Sequence, residues 1–77
     1  MRKKIYKILE KVDKKIKIKN YSKNYEVGQI PYWDSLSHLN FLLLIEEKFK
    51  IKFSIQEMTN IKSIQEIEEA LKKRKLK

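Results

Sequence analysis

The stretch "PYWDSLSHLNFLLLIEEKFK", Pro31 to Lys50, decides how the chain is built, for it holds the only proline and the longest apolar run, Phe41 to Ile45. Aspartate and serine are favoured helix N-caps and strong helix formers follow them, so a helix is predicted from Asp34 or Ser35 to about Lys50, with Pro31 just ahead of it. At about 100° per residue, Phe41, Leu42, Ile45 and Phe49 gather on one side and form the natural core face. Leu36, Leu39 and Leu43 gather nearly opposite, in company with Asn40, Glu46 and Glu47. A small helical domain cannot easily bury both sides of one helix. Either a neighbouring loop covers the second stripe, or the stripe is an exposed apolar strip edged by acids, which is the form of a docking surface.

Upstream, Ile5, Ile8, Leu9, Val12 and Ile16 fall on one helical face, which predicts a first helix from about residue 2 to 17 with lysines on the other faces. From Lys17 to Trp33 the periodicity is lost, and the only glycine, Gly28, occurs there with Pro31. This is a long loop, yet Ile18, Tyr21, Tyr25, Val27, Ile30 and Trp33 make it too apolar for a free linker, so it should lie across the helices. Downstream, "SIQE" occurs at 54–57 and again at 63–66, each time in the S-x-x-E form of a capping box. A short helix from about Ile55 to Thr59 and a longer one from near Ile64 to about Arg74 are predicted to start there. The expected fold is all-α: one domain over residues 1–77, a small four-helix bundle of three longer helices and one short helix, with the long loop between the first two.

A chain of 77 residues buries too little surface to shape a deep catalytic cleft, which favours a binding or carrier role over an enzyme. Cysteine is absent, so no disulfide or thiolate metal site staples the fold. The apolar run is far below the roughly 20 residues of a membrane span, and the basic N-terminus lacks the form of a signal peptide. A cytoplasmic location and a monomer are expected. The formal charge is +9, divided as +8 over residues 1–25, −4 over 26–71 and +5 over a basic tail at 72–77. Seventeen of the nineteen basic residues are lysine, beside a single alanine, a bias read as compositional drift over a solvated surface.

Asp34, Ser35 and His38 lie within one helical turn and invite comparison with a hydrolase triad. A triad needs the acid on the far nitrogen of the histidine and an oxyanion hole facing the serine, and one turn without a glycine-rich elbow offers neither. His38 has no second histidine or cysteine with which to share a metal, and its place on the wheel is toward the core. Ser37 is a first-turn residue whose hydroxyl can help satisfy the helix end. For Ser35 itself, a plain N-cap and an attachment point both remain open.

The run "WDSLSHLNFLLLIEEKFKIKFSIQEMTNIKSIQEIEEAL", Trp33 to Leu71, resembles the acyl carrier protein family of phosphopantetheine-binding carrier domains. D-S-L is followed by a long helix ending in "EEKF", then "IKFS", an isoleucine ahead of the last helix, and "IQEIEEAL", with the family's ungapped spacing between them. The resemblance implies that Ser35 accepts a 4′-phosphopantetheine arm from coenzyme A, delivered by a separate phosphopantetheinyl transferase, and that Asp34 meets basic groups on that enzyme. It further implies that Leu36, Leu39 and Leu43, with Asn40, Glu46 and Glu47, face partner enzymes that load or transfer acyl groups, the docking alternative for the second stripe. Ser37 and Asn40 stand where the fatty acid synthesis members commonly carry acids, Trp33 stands where glycine is frequent, and the net charge is opposite to theirs. These departures imply a carrier for a specialised biosynthetic pathway. An aminoacyl or peptidyl carrier, with the same arm and bundle, is the alternative within the class. A basic helical nucleic-acid binder is the rival outside it, but only Arg2 and Arg74 are available for bidentate base contacts, so no nucleic-acid partner is expected.

Overall fold

In the computed structural model, which describes residues 2–74, four helices form: α1 Arg2–Val12, α2 Ser35–Phe49, α3 Ile55–Asn60 and α4 Ile64–Lys73. No strand forms among the described residues; one isolated antiparallel bridge pairs Glu26 with Ser63. Residues 75–77 of the basic tail lie outside the described residues.

The apolar stripe of α1 is buried at Ile5, Tyr6, Ile8 and Leu9, against the Phe41, Leu42 and Ile45 face of α2 and the Ile64, Ile67 and Leu71 face of α4. Each of these side chains removes its apolar area from water, at about 25 cal/mol per Å², and together they form one continuous core. Phe49, expected in that core, is half-buried at its edge, where Lys4 Nζ lies 5.6 Å from the ring centroid.

The first helix ends five residues before the expected Lys17. The Asp13 carboxylate accepts the Lys15 N–H at 2.8 Å and the Asp13 carbonyl accepts the Ile16 N–H at 3.0 Å, a local turn that competes with the helix ladder. Ile16 is buried all the same, but from the loop.

Residues 13–34 pack rather than dangle, with Ile16, Ile30 and Trp33 buried and Tyr21, Tyr25 and Val27 against the core. The Tyr6 hydroxyl anchors this segment to α1: it donates to the Lys23 carbonyl at 2.5 Å and accepts the Tyr25 N–H at 3.0 Å. Beyond it, Val27 N–H donates to the Lys62 carbonyl at 2.9 Å and Ile64 N–H to the Tyr25 carbonyl at 3.2 Å, which ties the loop to the α3–α4 linker. The chain then turns through Gly28 at φ 94° and Tyr32 at φ 70°, closed by Gly28 N–H to the Trp33 carbonyl at 3.0 Å. Glycine reaches positive φ without steric cost; Tyr32 does not, and its place at the tip leaves its ring exposed.

The two "SIQE" copies both start helices, with different bonding. At α3 the capping box is complete: Glu57 N–H donates to Ser54 Oγ at 3.0 Å and Ser54 N–H to Glu57 Oε1 at 2.9 Å. At α4 Ser63 Oγ accepts the Glu66 N–H at 3.2 Å, but the Glu66 carboxylate accepts the Lys62 N–H instead, at 3.0 Å. The α4 helix ends at Lys73, with Arg74 as its C-cap.

Candidate functional site

Asp34, not Ser35, is the N-cap of α2. Its backbone is extended and its Oδ1 accepts the Ser37 N–H at 2.9 Å, while the Asp34 carbonyl takes the His38 N–H at 2.8 Å. The bond from Ser37 N–H holds the Asp34 carboxyl below the usual aspartate range, so it stays ionised at the surface. Ser35 follows as the first helical residue, and its side chain is exposed. Because Asp34 has the capping role, the Ser35 hydroxyl is not needed to terminate the helix.

The second stripe of α2 is exposed: relative accessibilities are 71% for Leu36, 46% for Leu39 and 48% for Leu43. The loop does not cover them. Asn40 and Glu47 are exposed on the same helix. Glu46 departs from the expectation that it edges this strip. It is buried, and its carboxylate accepts the Phe53 N–H at 2.7 Å, because the chain leaving α2 folds back over it. That return is made at Lys50, whose left-handed backbone (φ 57°, ψ 49°) lets its own N–H and that of Ile51 reach the Glu46 carbonyl.

Beside Ser35 a groove of about 440 Å³ runs between α2 and α3. Ser35, His38, Leu39 and Leu42 line its α2 wall, Met58 and Thr59 the α3 wall, and Ile61, Lys62 and Val27 close it. The loop was expected to lie across the helices, and Val27 does; the α3–α4 linker was not expected to contribute, because the bonds that bring Val27 to Lys62 join residues with no shared sequence pattern. Met58 is the one member whose apolar character beside a capping box gave a local signal.

His38 is buried, as the wheel predicts. Its Nδ1 accepts the Trp33 Nε1–H at 3.1 Å, its Nε2 lies 2.7 Å from the Ile61 carbonyl oxygen, and its ring packs against Trp33 and Phe41 with centroids 5.7 and 6.0 Å away. Both ring nitrogens are therefore engaged with partners other than Ser35. The arrangement assembles no serine–histidine base pair, whereas it brings an exposed hydroxyl, an ionised neighbour, an apolar strip and a groove to one end of α2.

No described helix is long and apolar enough to cross a membrane. No family model matches this chain, and neither a curated protein nor a solved structure matches it.

Proposed function

We propose that the chain is a carrier protein of the acyl carrier type, a small four-helix bundle that bears a 4′-phosphopantetheine arm on Ser35 and serves a specialised biosynthetic pathway. The observation that supports this reading above the others is the exposed Ser35 hydroxyl on the first turn of a 15-residue helix whose cap is supplied by Asp34. First-turn N–H groups lack intrahelical partners and the helix dipole favours negative charge there, so a phosphodiester on Ser35 suits its surroundings. When attached, the arm supplies a terminal thiol that holds an acyl or aminoacyl group as a thioester.

The residues of the chain do the rest. Asp34 presents an ionised carboxylate beside the modified hydroxyl for basic groups of the transferase. Leu36, Leu39 and Leu43 offer apolar contact to partner enzymes, with Asn40 and Glu47 at their edge, and Glu46 drops out of that surface because it is buried. The groove of about 440 Å³ between α2 and α3, lined in part by Ser35 itself, is the place offered to part of the arm or its cargo.

The test is intact-mass spectrometry after incubation with coenzyme A, Mg²⁺ and a broad-specificity phosphopantetheinyl transferase. The wild-type protein should gain the mass of one arm and Ser35→Ala should gain nothing; an unmodified wild-type protein would sink the reading.

A further inference from the structure

His38 lines the groove beside Ser35 and is bonded to a side chain that does not itself line it, Trp33. Trp33, the only tryptophan, is 1% exposed, and His38 is 7% exposed. Because His38 Nδ1 accepts the indole N–H at 3.1 Å, the imidazole proton must sit on Nε2, where it is donated to the Ile61 carbonyl at 2.7 Å. One ring thus joins the end of the loop, the first turn of α2 and the α3–α4 linker. Both bonds require a single neutral tautomer. A proton on Nδ1 would set two N–H donors against each other and leave the buried indole without its acceptor, an unfavourable state for a polar group out of water.

We propose that His38 is the positioning residue of this groove: as a neutral imidazole it latches Trp33 and the loop end to the α3–α4 linker, and on taking up a proton it releases Trp33 and widens the groove next to Ser35. Trp33 directly precedes the Asp34 cap, so its release loosens the segment that presents Ser35. The charged groups facing His38 are Lys62 on the linker, which opposes protonation, and Glu66 on α4, which favours it but already accepts the Lys62 N–H. From its own helix the nearest acid is the Asp34 cap, engaged with Ser37 N–H. The loop and α3 line the groove through Val27, Met58 and Thr59, none of which ionises.

Burial, first, and Lys62 hold the His38 pKa below the ordinary 6.5, against the opposing pull of the Ile61 carbonyl and Glu66. Between 6.5 and that lower folded value the folded protein then binds fewer protons than the unfolded chain. The latch is intact above 6.5 and weakens as pH falls from there through the lower folded value.

The test follows Trp33 emission, His38 ring shifts by NMR and far-ultraviolet circular dichroism across the same acid titration of the full chain. Expected are the Nε2–H tautomer at neutral pH, a shared midpoint for His38 and Trp33 below 6.5, and unchanged helicity through it. His38→Gln, which offers an acceptor and a donor without titrating, should abolish the Trp33 transition. The proposal falls if Trp33 emission stays flat while His38 titrates, if it changes only together with loss of helicity, if Nδ1 carries the neutral proton, or if the transition persists in His38→Gln. The wild-type titration decides the matter even if that variant fails to fold. None of these readouts involves a prosthetic group, so failure of the latch and failure of the carrier reading are separate results.

Discussion

Glu46 and Glu47 are neighbours of identical chemistry with opposite fates. One is buried with the Phe53 N–H on its carboxylate, while the other stays in water. Glu46→Ala leaves that buried N–H without an acceptor and should lower the unfolding free energy in urea titrations by about 2 kcal/mol. Glu46→Gln keeps an acceptor and should lose about 1 kcal/mol or less; equal losses would show that the bond to Phe53 contributes nothing. Helical periodicity placed both acids beside the leucine strip, since it reports direction from one axis only. It could not report that the chain beyond Lys50 returns over one of them. The apolar side chains were easier to read: Leu36, Leu39 and Leu43 are all exposed and Phe41, Leu42 and Ile45 all buried, because burial of aliphatic area dominates where a helix faces.

Among the elements, α3 is held least by packing, for it has six residues and buries none of them fully. Its ends carry the bonding instead. Ser54 and Glu57 complete the capping box, and Arg74, beyond α4, donates to both Glu57 carboxylate oxygens at 2.5 and 3.0 Å and stacks 5.4 Å from the Phe53 centroid. Those hydrogen bonds, from Arg74 first and Ser54 N–H second, bring the Glu57 pKa from 4.5 down to about 2. A carboxyl depressed in the folded state adds stability above its unfolded pKa and loses it as pH falls through the folded one. The stability advantage of the wild type over Glu57→Gln should therefore be full above 4.5 and vanish toward pH 2 in denaturant titrations; a gap that persists at pH 2 would exclude this cause. The start of α3 was legible from its serine and glutamate spacing. The clamp from Arg74 was not, because it spans 17 positions and depends on how α4 packs. The end of α1 was misread for a related reason: Ile16 is buried as its spacing suggests, but a turn at Asp13 delivers it, so period alone extended the helix too far.

For the whole molecule the dominant fact is a charge of +9 on 77 residues, with ten cations and two acids before position 26. Like charges so close together oppose the compact state, and salt within the Debye screening range relieves them. Raising sodium chloride from about 10 mM to about 300 mM should raise the melting temperature by a few degrees in calorimetry, and a fall would show that ion pairs outweigh repulsion. Composition revealed the total charge, but it did not reveal how the cations divide. The two arginines serve as cross-braces. Arg2 donates to both carboxylate oxygens of Glu68 at 2.6 and 3.0 Å and to the Ser22 carbonyl at 2.8 Å, and Arg74 clamps Glu57. Among the described residues the one lysine ion pair joins Lys7 to Glu10 within α1. For chemical labelling the molecule therefore offers two separable sets of cations: amine-directed reagents recolour the surface charge and leave both braces standing, whereas a guanidine-directed reagent reaches few groups and loosens α1 from α4 and the end of α4 from α3.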